Sequence, residues 1–326
     1  GPVDLFWGDV LAATSRPGTT TRILKESTVK RSQVHTGIRS SKMESGLKRY
    51  MSKEEFTISD AIKKLEKDYG EGAIFHDDSM LVDVEAVPTG LYSLDYVLGC
   101  GGLPRGRIIE IYGKESSGKS TLCSFIVAQI QKHGGKCVYI DVEHAFDQQY
   151  ATKLGVDVPA LYMSQPLTLE ETMDTVRAFI TTKEIDLIIV DSVASMAPKA
   201  EVEAVEMLKE SPMAMKARLL DKALRIMTPQ ISETKTTVIF INQIRDNVGV
   251  MYGPKETTPG GRALKFFSSI RLLVKHGEKI MDKNDEKIGN EIIIKAVKNK
   301  LAPPERERTV ELYYGTGIDM ASDMFN

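Results

Sequence analysis

Arg107-Ile-Ile-Glu-Ile-Tyr-Gly-Lys-Glu-Ser-Ser-Gly-Lys-Ser-Thr121 is the stretch from which the rest of the chain can be read. Ile108, Ile109, Ile111 and Tyr112 make a short apolar run suited to a buried strand, and Gly113 to Ser120 then fill the pattern GxxxxGK[ST] at every position. Each position has a physical reason. Glycines at 113 and 118 allow a tight loop whose backbone N–H groups converge on phosphate oxygens, and a helix opening at Lys119 adds the positive end of its dipole. Lys119 is expected to reach the β/γ-phosphates of ATP, with the Ser120 hydroxyl on Mg²⁺. Gly113, Glu115, Ser116, Ser117, Gly118, Lys119, Ser120 and Thr121 are therefore the candidate nucleotide-binding residues, and Ser120 is a candidate metal ligand.

Working outward, the chain alternates. A helix over 120–132 precedes a strand at Cys137 to Ile140, a helix over 146–153 precedes Leu161 to Met163, and a helix over 169–182 precedes Leu187 to Val190. A helix over 213–233 leads to Thr237 to Ile241. Strands spaced by helices imply right-handed crossovers and a mainly parallel sheet covered on both faces. Beyond Gly261 the pattern changes to strands without intervening helices, Phe267–Val274, Glu291–Val297 and Thr309–Tyr313, expected as an antiparallel extension of that sheet. Upstream, Leu91 to Leu98 is an apolar segment ending in a glycine-rich turn. From Thr57 the spacing of Ile58, Ala61, Ile62, Leu65 and Tyr69 predicts a helix capped by Ser59 or Thr57, followed by the strand-like Ala73-Ile74-Phe75.

The first fifty residues read as an appended segment. They are basic, Ser/Thr-rich and without sustained period, with nine Lys/Arg against four Asp/Glu, a charge of +5 that leaves −7 for the remainder. Gly1-Pro2 resembles a protease scar and Met51 a natural start; a transit peptide and a docking helix over Leu5 to Leu11 are the other readings. We therefore divide the chain into a leader (1–50), an N-terminal helix and strand (51–80) and an α/β core (81–326). Cys100, Cys123 and Cys137 lack metal-ligand spacing and fit a reduced, cytoplasmic compartment. No run of about eighteen apolar residues is present to span a membrane. With an overall charge of −2, any nucleic-acid site must be a local basic surface.

Ligands of such a sheet bind at the carboxyl ends of its strands. Leu187 to Val190 ends in Asp191, a carboxylate placed to orient a Mg²⁺ shell. Cys137 to Ile140 runs into Asp141-Val142-Glu143-His144-Ala145-Phe146-Asp147, where Glu143 is placed to polarise an attacking water. Thr237 to Ile241 ends in Asn242-Gln243, an amide that could sense a γ-phosphate. The long aperiodic segment after it mixes Arg, Lys, Asn, Thr, Gly and Tyr252, which suits a single-stranded nucleic-acid backbone and equally an ordinary flexible loop.

Taken together, GKESSGKST from Gly113, DVEHAFD from Asp141, VDSVASMAPKAE from Val190, FINQIR from Phe240, GVMYG from Gly249, TPGGRALKF from Thr258 and VKNK from Val297 resemble the bacterial RecA recombinases, over about residues 57 to 320. The resemblance implies a RecA-type ATPase fold. It implies Glu143 as catalytic carboxylate, Gln243 as γ-phosphate sensor, Asp147 and Tyr150 as adenine contacts, and Tyr314 near the base. Lys298 and Lys300 would act across the subunit interface on a neighbour's γ-phosphate. Ile74 and Phe75 fall where the family's subunit-joining strand lies. Loops 201–213 and 244–261 correspond to two DNA-binding loops, with Met213, Arg218, Arg225, Arg245, Tyr252, Gly260 and Gly261 at contact positions. The first loop departs from the pattern: it lacks the family's glycines, is two residues longer and carries Pro212. The chain also stops at Asn326, where family members continue into a small C-terminal domain; a truncated chain and a naturally short, phage-borne homologue both fit.

The implied function is a DNA-dependent ATPase that forms filaments on single-stranded DNA and pairs it with homologous duplex. ATP binding favours the DNA-gripping filament and hydrolysis releases it. A ring-forming helicase with the same core is one alternative, and a nucleotide-dependent filament scaffold that recruits partners such as a self-cleaving repressor is another.

Overall fold

The computed structural model describes residues 57–70, 84–203, 211–246 and 256–324. The chain divides into two compact units, Gly1–Asp77 and Asp78–Asn326. In the first, helix α1 (Ile58–Tyr69) starts at Thr57, whose side chain accepts from the Asp60 N–H while the Asp60 carboxylate accepts from the Thr57 N–H. That reciprocal pair satisfies two donors that a helix start otherwise leaves open, so Thr57 rather than Ser59 is the cap. Residues 1–50 and the pair Ile74 and Phe75 lie outside the described residues.

The second unit is built on a nine-stranded sheet in the order β13-β12-β11-β10-β3-β7-β6-β4-β5. Its members are β3 (Ile108–Gly113), β4 (Cys137–Asp141), β5 (Tyr162–Ser164), β6 (Leu187–Asp191), β7 (Thr237–Gln243), β10 (Ile270–Met281), β11 (Lys287–Asn299), β12 (Glu307–Tyr313) and β13 (Gly317–Ile318). From β10 through β5 every pairing is parallel, and β10, β11, β12 and β13 pair antiparallel. The expected fold class, a mainly parallel α/β sheet with an antiparallel extension, is what is observed. Small two-residue ladders, β1 (Ala86–Val87) with β2 (Leu103–Pro104) and β8 (Arg245–Asp246) with β9 (Glu256–Thr257), flank it.

Alternation along the strands assigns the two faces. Ile109, Ile111, Tyr139, Ile189 and Ile239 pack on α2 (Tyr92–Leu98) and α3 (Lys119–Lys132), whereas Ile108, Val138, Ile140, Ile188, Val190 and Phe240 pack on α5 (Leu169–Thr181) and α7 (Pro212–Thr234). Both faces are covered, which is why these strands read as unbroken apolar runs.

Leu91 to Leu98, read from the sequence as an apolar segment, is mostly the helix α2, closed by Gly99 at φ +72. Three sequence expectations need correction. The strand expected from Phe267 begins at Ile270, because Phe267 ends the short helix α8 (Ala263–Phe267). The helix expected from 146 is α4 (Gln148–Lys153), held off by Asp147, whose side chain caps it. The first loop is shorter than 201–213: Glu201 lies in α6 (Lys199–Val202) and Met213 in α7, with Pro212 in the first turn, where its missing N–H costs nothing. Residues 204–210 lie outside the described residues.

Candidate nucleotide site

β3 delivers the loop and α3 receives it. Gly118 is the N-cap of α3 at φ +88, a left-handed backbone that favours glycine. Gly113 has a different requirement: a Cβ there would lie 2.1 Å from the carbonyl oxygen of Val274 on β10, so the close approach of two strands demands it. Lys119 is only 7% exposed, and its ammonium is held by the loop itself, donating to the carbonyls of Lys114 (2.6 Å) and Gly113 (3.3 Å). Burial pushes its pKa down, and the nearby carboxylates Asp191 and Glu143 oppose that. The loop thus carries a charge that loses water yet keeps hydrogen bonds, which suits an exchange for phosphate oxygens.

At the ends of β4 and β6 the acidic groups gather. Asp191 Oδ2 accepts from Ser120 Oγ (2.8 Å) and from the hydroxyl of Tyr139 (2.7 Å). Burial raises the Asp191 pKa, those two hydrogen bonds lower it, and Glu143 and Asp141 raise it again. The Asp191–Ser192 peptide is cis. Asp141 organises the segment after β4, accepting from the N–H groups of Ala145 (3.2 Å) and Phe146 (3.1 Å) and from Gln165 Nε2 (3.0 Å). Within that segment Glu143 Oε1 takes three donors: Ser192 Oγ (2.6 Å), Ser195 Oγ (3.1 Å) and Gln243 Nε2 (3.1 Å). Its other oxygen has no hydrogen bond among the described residues. Glu143 and Gln243, 100 residues apart, are thereby brought together at the mouth of the loop.

A cavity of about 130 Å³ lies between these groups, lined by Ser120, Thr121, Glu143, Asp147, Tyr150 and Asp191 among others. Asp147 caps α4 by accepting from the Tyr150 N–H (2.9 Å), and the Tyr150 hydroxyl is 3.5 Å from Thr121 Oγ1. Tyr314 is not among the lining residues; its hydroxyl contacts Asn290 Nδ2 (2.8 Å) and its ring lies 5.4 Å from the Lys287 ammonium. No set of three or more His, Cys, Asp or Glu among the described residues could hold a metal unaided. A hydroxyl and a carboxylate oxygen 2.8 Å apart beside a phosphate cradle fit Mg²⁺, which binds through one or two hard oxygen ligands and substrate phosphates.

The family model of the RecA N-terminal domain matches residues 56–319. The chain is 47% identical to protein RecA of Thermus aquaticus over 271 residues, 83% of this chain and 79% of that protein. It is 48% identical to protein RecA of Levilactobacillus brevis over 270 residues (82% and 71%) and 47% identical to that of Francisella tularensis subsp. novicida over 278 residues (85% and 76%). The chain belongs to the RecA family. Its function is accordingly that of a recombinase in DNA recombination and repair. No helix among the described residues is long and apolar enough to cross a membrane.

Residues that the RecA resemblance assigns to DNA and to the neighbouring subunit are placed as follows. Met213, Arg218 and Arg225 are exposed on α7, where Arg225 pairs with Asp221 one turn earlier. Tyr252 and the side chain of Arg245 lie outside the described residues. Gly260 and Gly261 have φ of +89 and +70, and added Cβ atoms would meet Leu220 at 2.9 Å and Ala217 at 2.8 Å, so their glycine character serves the seating of the loop's exit on α7. Lys298 lies opposite Arg271, which in turn lies opposite Glu110, in the ladder β11-β10-β3. Its ammonium donates to the carbonyls of Lys265 (2.6 Å) and Phe266 (3.0 Å) at the C-terminal end of α8. Burial, then the charges of Lys300 and Arg271, push the Lys298 pKa down to about 8. Lys300, two residues further on, is exposed.

Sequence reasoning missed a buried network beneath the site. Glu110 is 0% exposed in the middle of β3; Arg271 Nε donates to one of its oxygens and Asn242 Nδ2 to the other (3.0 Å). Asn242 Nδ2 also donates to the carbonyl of Pro259 (3.0 Å), and its Oδ1 accepts from the Gln243 N–H (3.0 Å). One amide therefore ties the residue that meets Glu143 to the chain returning from the second loop. Polar residues inside apolar runs, Glu110 in Ile-Ile-Glu-Ile and Asn242 in Phe-Ile-Asn, were the available signal.

Proposed function

We propose that this RecA-family chain hydrolyses ATP with Mg²⁺ at the β3–α3 loop, and does so when assembled as a filament on single-stranded DNA that it pairs with homologous duplex. The observation that carries the reading is the meeting of Glu143 with Gln243 at 3.1 Å above a complete phosphate loop. Glu143 Oε1 is occupied by three donors, so the carboxylate cannot rotate freely, and Oε2 is the oxygen that takes a proton from an attacking water. Lys119 and the loop N–H groups hold the phosphates, and Ser120 and Asp191 hold the cation. Bound Mg²⁺ supplies electrostatic stabilisation of the charge that develops on the transferring phosphoryl group.

Gln243 ends β7 and opens the second loop. Its amide, here spent on Glu143, is the group that a γ-phosphate would recruit, which gives the loop a reason to respond to the nucleotide. Lys298 and Lys300 complete the site of the adjacent subunit, so that hydrolysis requires assembly. The domain division and the single-strand contacts of Met213, Arg218, Arg225, Arg245 and Tyr252 belong to the same proposal, as does recruitment of a self-cleaving repressor, which rests on the family alone.

The test is hydrolysis of ATP with and without single-stranded DNA, in the wild type and in Glu143→Gln. We expect DNA stimulation in the wild type, and in the variant retained binding of ATP and DNA with turnover lower by about 10²-fold or more. Hydrolysis indifferent to DNA, or unimpaired in Glu143→Gln, overturns it.

A further inference from the structure

In the parallel pair β4–β6, Tyr139 lies opposite Ile189 and Asp141 opposite Asp191. Alternate residues share a face, so Tyr139 and Asp191 stand diagonally on the side covered by α3, the helix whose first turn presents Ser120. Packing at position 139 needs only an apolar ring; the residue is 2% exposed. A hydroxyl buried there must find a partner, and it finds Asp191 Oδ2 at 2.7 Å. The same oxygen receives Ser120 Oγ at 2.8 Å, and Oδ1 takes no hydrogen bond among the described residues. Two hydroxyls from different elements thus pin one oxygen of a carboxylate that lines the cavity. The ring has a second contact: its centroid is 4.7 Å from that of Phe146, whose N–H is held by Asp141, so it also supports the segment that carries Glu143.

We propose that Tyr139 is a positioning residue for the metal site, its hydroxyl fixing the Asp191 carboxylate in the orientation that meets the cation. The proposal rests on the nucleotide reading above and adds a residue to it. Ser120 alone constrains the carboxylate through one bond about which it can swing; the second donor, from a rigid buried ring, removes that freedom before any cation arrives.

The test uses the full chain, ADP and Mn²⁺ as a paramagnetic stand-in for Mg²⁺, with free Mn²⁺ counted by electron paramagnetic resonance. Tyr139→Phe removes only the hydroxyl. We expect its Mn²⁺ binding in the presence of ADP to weaken by about tenfold, as for loss of one hydrogen bond to a charged group, while ADP binding in EDTA is unchanged. A merely structural role would weaken both. Tyr139→Met, which fills the slot without a donor, must show the same split should the first variant fold poorly. In an Asp191→Asn background Tyr139→Phe should add nothing. Mn²⁺ binding in Tyr139→Phe within about twofold of wild type, or an undiminished loss in the Asp191→Asn background, overturns the proposal and leaves the nucleotide reading standing. Failure of the wild type to bind Mn²⁺ with ADP overturns both.

Discussion

Arg271→Met is the most informative perturbation of the fold. Glu110 is fully buried and accepts from two groups, Arg271 Nε and Asn242 Nδ2, while the guanidinium lies 4.4 Å over the ring of Tyr112. Methionine keeps the aliphatic bulk but strands the carboxylate with a single neutral donor. Breaking one side of a buried pair costs about 3–5 kcal/mol, because the remaining charge keeps its desolvation penalty and loses its compensation. Loss of the cation–π contact lies within that figure. For a unit of this size that corresponds to a melting point lower by on the order of 10 °C. Replacing both partners, Glu110→Leu with Arg271→Met, removes charge and penalty together and should be markedly less damaging than Arg271→Met alone. Urea and thermal unfolding of wild type, both single variants and the double variant measure the difference. The reasoning fails if Arg271→Met costs less than about 1 kcal/mol, or if the double variant is as unstable as the sum of the singles.

Three further predictions concern the lysines. Burial and neighbouring cations bring the Lys298 pKa to about 8, so its charge is lost as pH rises through that value; DNA-dependent hydrolysis should decline on the alkaline side, and Lys298→Arg should abolish the decline. Because the unfolded chain holds this proton more tightly, the same group makes stability rise with pH from about 8 towards the ordinary lysine value, and a pH series of unfolding on wild type and Lys298→Arg checks the sign. Lys119→Ala and Lys300→Ala should each be inactive, but a mixture should regain hydrolysis at junctions where an intact loop meets an intact lysine; mixtures that co-assemble and stay inactive refute the trans role.

How much of this was legible in the sequence follows from range. The loop and its helix are local, and GxxxxGK[ST] after an apolar run locates Lys119 and Ser120 without tertiary knowledge. Asp191 and Gln243 were found because parallel strands place their ends on one edge, so a polar residue just past each strand is a candidate whatever the strand order. Boundaries were less legible. Phe267 fits a strand by composition but ends α8, and Leu91 to Leu98 is too short and apolar for period to separate helix from strand.

Partners inside the sheet depend on order and register, which single-sequence patterns do not contain. Glu110 meets Arg271 across 161 residues only because β10 inserts beside β3, although its chain neighbours β11 and β12 lie beyond it. Tyr139 meets Asp191 only because β4 and β6 pair in the register that sets Tyr139 against Ile189; a shift of one residue would turn Asp191 to the opposite face, away from Ser120. The same dependence runs through the proposed mechanism. The phosphate loop can be specified locally, but the carboxylates proposed to act on what it holds come from two other strands, and their oxygens accept from hydroxyls and an amide on neighbouring elements. A packing change that slipped β4 against β6 would leave the GxxxxGK[ST] motif intact and the proposed cation site without its protein carboxylate. On the proposed mechanism, catalytic competence is therefore a property of strand register as much as of the motif that announces it.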